Sequence, residues 1–313
     1  MASTNALKSI GITGATGFIG RNLLAALVRE GCQPIVISRR ADDSLGSVRC
    51  VQLDLLDHAR VREELLALRL TSLVHLAGTR RSSDVSIPAV TACAALNVGA
   101  TVNLFAAAQR AGVERIVTVG SAEEYGEQPG PLHEGLPLLA HTPYGVSKAS
   151  ATRFAQVLHR SDGCPVVVVR PFSGFGPGQA PVMFVAEAVE AAVKGLPFKM
   201  THGRQQRDFV FVDDIVAGLR SALTAPSIEG EVINLGSGEP RALRDVAARI
   251  WALADSKAPL LVGERPAPRE ELHDTWADTS RARRLLGWSA QVSLDEGLRR
   301  TIEWARHPQA PAP

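Results

Sequence analysis

The chain has 313 residues, 45% apolar and 21% charged, enough for one large or two modest domains with a proper core. A formal charge of +2, with Lys, Arg, Asp and Glu interspersed, leaves no basic field for nucleic acid and no acidic tail. The four cysteines, Cys32, Cys50, Cys93 and Cys164, lie far apart without a C-x-x-C pair, so neither a metal site nor a disulfide framework is expected.

In chain order, the first element is a short β-branched strand over 10–13, followed by the glycine turn Gly14-Ala-Thr-Gly17-Phe-Ile-Gly20. Phe18, Ile19, Leu23, Leu24, Leu27 and Val28 then recur at helical spacing up to Glu30-Gly31, and Pro34 to Ile37 starts a second strand over 35–38. Strand, glycine turn and helix in this order suit a pyrophosphate, because glycine lets the backbone approach and the helix N-terminus offers free N–H groups and a positive dipole end. Gly14, Thr16, Gly17, Phe18, Ile19 and Gly20 are the candidate cofactor contacts. The second strand ends Ser38-Arg39-Arg40, with no carboxylate before Asp42 to bond the ribose 2′-hydroxyl of NAD(H). A hydroxyl and two guanidinium groups suit a 2′-phosphate instead, so NADP(H) is the expected cofactor.

Strand-like runs continue at 48–53, 73–77, 115–120 and 165–170, with helical stretches at 58–69, 92–111 and 144–160. This alternation predicts an α/β fold, a Rossmann-type doubly wound parallel sheet. Beyond residue 170 a passage rich in Gly and Pro leads to helix 182–194, a strand near 209–212, helix 214–224, strand 231–235 and helix 241–254. The organisation expected is a dinucleotide-binding domain over 1–170 and a smaller substrate-binding portion over 171–305, with some crossing of the chain between them and a cleft beyond the strand ends. The proline-rich residues 306–313 are expected to be a disordered tail. No apolar run approaches the roughly eighteen residues of a membrane span, and no secretory leader is recognisable, so a cytoplasmic protein without a membrane partner is expected.

Two places carry chemistry. Tyr144 and Lys148, four apart at the start of a helix, share one face, and an ammonium beside a phenol favours the phenolate, making Tyr144 a usable acid or base. Upstream, the strand ending Val119-Gly120-Ser121 delivers a hydroxyl at its carboxyl end, either to hydrogen-bond a substrate oxygen or to cap a turn.

Taken together, the glycine turn, His75-Leu-Ala-Gly78, Ser121-Ala-Glu-Glu-Tyr-Gly126, Tyr144-x-x-x-Lys148, Arg170-Pro-Phe-Ser-Gly-Phe-Gly-Pro-Gly-Gln179, Arg207-Asp-Phe-Val-Phe-Val-Asp-Asp214 and Leu286-Gly-Trp288 resemble the extended short-chain dehydrogenase/reductases. These are nucleotide-sugar epimerases, dehydratases and reductases. Several segments look most like the GDP-4-keto-6-deoxymannose reductases, with a departure at Ser173-Gly174, where that subgroup carries Asn-His. The resemblance implies Ser121, Tyr144 and Lys148 as catalytic triad, Lys148 also holding the nicotinamide ribose, and a homodimer formed through a four-helix bundle. It further implies Asp54 with Leu55 at the adenine, and Leu76, Ala77, Gly78 and Pro171 lining the cofactor. Ser173 and Arg207 fall on the substrate side, with Arg265 or Arg269 as a second diphosphate ligand, while Asn97 matches a structural helix position. Glu123 stands where 4,6-dehydratases carry the glutamate that removes the C5 proton, although Glu123 and Glu124 would equally serve as solvated loop carboxylates. The expected activity is an NADP-dependent reduction of a 4-keto-6-deoxy nucleotide sugar, with an epimerase or 4,6-dehydratase as the alternative and a non-catalytic NADP-binding regulator as a third reading.

Overall fold

The structure, a computed structural model, describes residues 9–40, 46–79, 84–266 and 274–307. Strands β1 (Ile10–Thr13), β2 (Ile35–Ser38), β3 (Cys50–Gln52), β4 (Ser72–His75), β5 (Arg115–Val119) and β6 (Val166–Pro171) alternate with helices α1 (Phe18–Arg29), α2 (His58–Leu68), α3 (Ile87–Cys93), α4 (Thr101–Arg110) and α5 (Pro143–Asp162). After β6 come β7 (Ser173–Phe175), α6 (Phe184–Lys194), β8 (Phe198–Met200), β9 (Gln206–Phe211), α7 (Val212–Thr224) and β10 (Val232–Leu235). The chain ends with β11 (Pro240–Ala242), α8 (Leu243–Ala254), β12 (Leu260–Val262), β13 (Asp274–Thr275), α9 (Ser280–Leu286) and α10 (Leu294–Arg306).

The main sheet is parallel, in the order β3-β2-β1-β4-β5-β6-β10. The order reverses between β1 and β4, which opens the crevice beyond the strands' carboxyl ends where doubly wound folds bind ligands. The middles of its strands are mostly apolar and buried, as in Val166–Val169, because both faces are covered. On one face Leu23, Leu24 and Leu27 of α1 pack with Ile215, Leu219 and Leu223 of α7. On the other lie Val61 and Leu65 of α2, Leu104 and Phe105 of α4 and Ala155 of α5.

A third apolar cluster, with Phe175, Phe209 and Phe211 edge to face, joins α6, α8 and α10 to the small sheet of β7, β9, β11 and β13. The crossing of the chain is extensive. α7 covers the main sheet, β10 pairs with β6, and Ala282 of α9 and Trp288 enter the first cluster.

The helix expected over 92–111 runs from Ile87 to Arg110, with a π-helical segment, Ala94–Ala100, between α3 and α4. By length and composition alone it is apolar enough to cross a membrane, a feature the sequence reading did not anticipate. Its C-terminal part is used in packing, with Leu104, Phe105, Ala107 and Ala108 in the core, while Ile87 and Val90 are exposed.

Candidate active site

The glycine turn folds as a cradle. Gly14 adopts φ +71°, and a Cβ on it would lie 2.6 Å from the Ala77 amide nitrogen. On Gly20 a Cβ would meet the Gly14 carbonyl oxygen at 2.2 Å, so glycine is what lets α1 start against the turn. Gly17 is exposed at the N-cap of α1, whose first turn carries neither a side-chain cap nor an acidic residue. The first N–H groups of a helix lack intrahelical partners and lie at the positive end of its dipole, so this uncapped cradle fits the pyrophosphate of a dinucleotide. Thr16, Phe18 and Ile19, half-buried, flank it.

At the end of β2, Ser38 is half-buried, and the side chains of Arg39 and Arg40 are exposed with no ion pair among the described residues. Asp54, exposed beyond β3, accepts the Leu56 N–H at 3.0 Å, while Leu55 points into the core. At the end of β4, His75 is buried between Thr13 Oγ1 (2.7 Å) and Thr101 Oγ1 (2.9 Å). Burial, and secondarily the Lys148 charge, push its pKa down from 6.5 to about 3, so the ring is neutral. The unfolded chain takes up a proton below about 6.5 that the folded one refuses, so His75 contributes stability above that pH and loses it as pH falls toward 3. In His75→Gln this part of the acid sensitivity should vanish, flattening the stability curve by up to about 1.4 kcal/mol per pH unit. Urea unfolding at pH 7, 6 and 5 reads the difference, and parallel curves for the two proteins would contradict it.

Leu76, Ala77 and Gly78 follow His75, all half-buried. A Cβ on Gly78 would lie 2.9 Å from Asn97 Oδ1 and 3.5 Å from Lys148 Nζ, so this loop abuts the lysine directly. Asn97, on the π-helical segment, accepts the Thr79 N–H and donates to Thr79 Oγ1 and Ser147 Oγ, each at 2.8 Å. Ser147 in turn donates to the Tyr144 carbonyl at 2.7 Å. The extra residue of a π turn thus points a buried amide at the first turn of α5.

That first turn begins at Thr142, whose Oγ1 accepts the Gly145 N–H, with Pro143 in the position where its missing N–H costs nothing. Lys148 Nζ lies 5.9 Å from the centroid of the Tyr144 ring and donates to the Val119 carbonyl at 2.9 Å. Burial lowers the lysine's pKa, and the Glu124 carboxylate opposes the shift.

Ser121 starts a short 3₁₀ turn, Ala122–Tyr125, its Oγ accepting the Glu123 N–H at 3.2 Å. It therefore caps a turn, but capping uses a lone pair of Oγ and leaves its proton to be donated. The turn lies against α5: a Cβ on Gly145 would sit 2.9 Å from the Glu123 carbonyl oxygen. Glu123, half-buried, accepts from Thr142 Oγ1 at 3.2 Å, beside Tyr144.

Glu124 corrects the sequence reading of a solvated carboxylate. It is wholly buried and accepts from Arg170 Nε (2.9 Å) and Nη2 (2.7 Å), and Oε1 takes the Ser121 N–H at 2.8 Å. Arg170 Nη1 donates to the Tyr125 hydroxyl, which donates to Asn234 Oδ1. Burial works to lower the Arg170 pKa, but Glu124 outweighs it and holds the guanidinium above its usual value. One signal was available in the sequence: a charged residue after four valines in a buried strand needs a partner.

Pro171, expected at the cofactor, ends β6, and Ser173, expected at the substrate, opens β7, both half-buried. Arg207, nine-tenths buried on β9, donates to the Gln206 carbonyl at 2.9 Å and faces Arg241 across the β11 pairing. Arg265 is engaged elsewhere, forked onto the Glu187 carboxylate at 2.7 and 3.2 Å, and Arg269 lies outside the described residues. The structure therefore brings together Ser121, Glu123, Tyr144, Lys148 and Gly78, and does not bring Arg265 to them.

Residues 10–236 match the model of the NAD dependent epimerase/dehydratase family. An uncharacterized UDP-glucose epimerase, YtcB, of Bacillus subtilis (strain 168) is 30% identical over 312 residues, spanning 94% of this chain and 96% of its own. A dTDP-glucose 4,6-dehydratase of Neisseria meningitidis serogroup B is 26% identical over 338 residues, spanning 95% and 93%. The solved structure of MoeE5 in complex with UDP-glucose and NAD superposes with a TM-score of 0.86 at 30% identity, covering 96% of this chain and 99% of that one. With these matches, and the glycine cradle and Ser121/Tyr144/Lys148 set in place, the chain belongs to the NAD dependent epimerase/dehydratase family of extended short-chain dehydrogenase/reductases.

Proposed function

We propose that the protein is a nucleotide-sugar epimerase that oxidises and re-reduces its substrate within one turnover. The observation that carries the reading is the gathering of Ser121, Tyr144 and Lys148 beside the glycine cradle, on a chain whose full-length relatives include enzymes named for that chemistry. The dinucleotide, when bound at the cradle, supplies a reversible hydride acceptor. Tyr144 Oη takes the proton of the sugar hydroxyl being oxidised and later returns it, while the Lys148 charge favours the phenolate. Ser121 Oγ donates a hydrogen bond to the same sugar oxygen, and Arg207 neutralises the diphosphate. The net reduction suggested by the motifs needs the same residues with a consumed reductant. The relatives favour the reading in which none is consumed.

The test is incubation of purified protein with UDP-glucose or dTDP-glucose and added NADP⁺, and separately with a GDP-4-keto-6-deoxy sugar and added NADPH, while products and absorbance of the reduced dinucleotide are followed. Epimer with no net gain of NADPH absorbance is expected in the first arm, and stoichiometric loss of NADPH absorbance with the keto sugar would restore the reductase. A 4,6-dehydratase is the second reading, favoured by Glu123 held beside Tyr144 by Thr142. In an epimerase no C5 proton moves, so Glu123→Gln should stay within about tenfold of wild type, under about 1.4 kcal/mol of barrier. A drop of about 10² or more, with solvent deuterium entering at C5, would make the dehydratase the function.

NADP(H) is the proposed dinucleotide, on the exposed Arg39 and Arg40 and the lack of a carboxylate at the end of β2. Replacing both arginines by alanine should weaken NADPH by about 1.5–3 kcal/mol per lost charged hydrogen bond and leave NADH nearly untouched. Equal affinity of the wild type for the two, measured by titration calorimetry, would discard it. A homodimer is proposed across α3 and α5, where Ile87, Val90, Val146, Phe154 and Val157 are exposed beside a groove of about 570 Å³. Sedimentation reads the mass.

A further inference from the structure

Glu124 has no part in moving hydride or proton, yet it is tied to the residue that would hold the substrate oxygen. Its Oε1 accepts the Ser121 N–H at 2.8 Å, and its Oε2 is gripped by Arg170 at 2.9 and 2.7 Å. Gly120, just before Ser121, leaves the space for this pair: a Cβ there would lie 2.2 Å from Glu124 Oε1 and 3.1 Å from Arg170 Cγ. Arg170 also lies over the Tyr125 ring, 4.8 Å from its centroid, and the Tyr125 hydroxyl is fixed to Asn234 on β10. A buried ion pair adds little net stability compared with apolar groups of the same volume, so its place here calls for a reason other than stability.

We propose that Glu124, clamped by Arg170, is a positioning residue that sets the Ser121 hydroxyl for the substrate oxygen and ties the catalytic turn to the strand leading into the substrate loop at Pro171 and Ser173. Holding the Ser121 N–H and accepting no bond from its hydroxyl, the carboxylate fixes the backbone from which Oγ projects. The hydrogen bond falls on Ser121 alone, since Tyr144 and Lys148 are placed from α5 by Thr142, Asn97 and Ser147; Glu124 reaches Lys148 only through its charge, which E124D keeps.

The proposal rests on the reading of Ser121 as the catalytic hydroxyl, and a double-mutant cycle separates the two. E124D keeps a carboxylate for Arg170 but withdraws it from the Ser121 N–H by one methylene. It is made with and without S121A, and kcat, KM and cofactor affinity are measured for the epimerisation. Expected is a loss in kcat of at least about tenfold for S121A, and for E124D about 5–30-fold with KM and cofactor affinity within about threefold. In the S121A background E124D should then add less than about twofold, because its effect passes through the missing hydroxyl. The same cycle is run with E124Q/R170M, which removes both charges at similar volume, so that the result does not depend on the folding of one variant; because Glu124 also supports the Lys148 charge, kcat of this pair is compared on the pH plateau of each variant. Losses that multiply across the two backgrounds overturn the positioning role and leave Ser121 catalytic. Full activity of S121A overturns the reading of the site and the positioning role together.

Discussion

Replacing Tyr144 by phenylalanine is expected to lower turnover by about 10²–10⁴ while dinucleotide binding is retained. The ring keeps its place on α5, so what is lost is the one oxygen that exchanges a proton with the sugar. No neighbour supplies a substitute phenol. The chain's other tyrosine, Tyr125, is wholly buried, with its hydroxyl committed to Arg170 and Asn234, and burial raises its pKa. Lys148 cannot replace it either, since its ammonium is bonded to the Val119 carbonyl. Lys148→Met should therefore weaken both steps, losing the charge that favours the phenolate and, as the family resemblance implies, the grip on the ribose. Single-turnover kinetics with a matched cofactor titration checks both variants, and near-normal turnover of Tyr144→Phe would sink the proton-transfer role.

Arg170→Met is expected to destabilise the fold by about 3–5 kcal/mol, because it leaves the Glu124 carboxylate buried without its counter-charge. Both side chains are sealed from solvent, at 2% and 0% exposure, so water does not replace what the guanidinium supplied. For a chain of this size the melting temperature should fall by roughly 5–15 °C. Methionine fills much of the arginine's volume, so a cavity adds little to the loss. Adding Glu124→Gln to the same protein should recover part of it by removing the stranded charge. Calorimetric melting of the wild type and both variants reads this directly, and a melting temperature within a degree of wild type for Arg170→Met would show that the pair is not needed for stability.

The parts of the site written in short runs were legible in the sequence. The glycine cradle spans seven residues between a strand and a helix, and Tyr144 and Lys148 are four apart on one helix, so local geometry alone brings them into register. The parallel sheet was legible because strands buried on both faces carry apolar runs, as Val166 to Val169 do. What was not legible depends on distant partners. Glu124 and Arg170 lie 46 positions apart, and Arg265 is drawn to Glu187 across 78, which no spacing rule anticipates. Strands β7, β8, β11, β12 and β13, two or three residues each, are too short to show alternation. The π-helical turn at Asn97 has no signature in composition. It is recognised only once the amide is seen between Thr79 and Ser147.

The return of α7 and β10 to the main sheet means that the molecule has no seam at residue 170. A fragment ending there would keep the whole glycine cradle and the Tyr144 helix, yet expose the outer edge of β6, now covered by β10, and strip Ile215, Leu219 and Leu223 from against α1. Such a fragment presents an unpaired strand and an open apolar face at once, the combination that drives chains to aggregate rather than fold. Exchanging substrate specificity between relatives of this enzyme by cutting and splicing would have to follow the three-dimensional border, moving residues 172–211, 240–275 and 291–307 as separate inserts and leaving α9 and Trp288 with the main sheet, rather than a single point in the sequence.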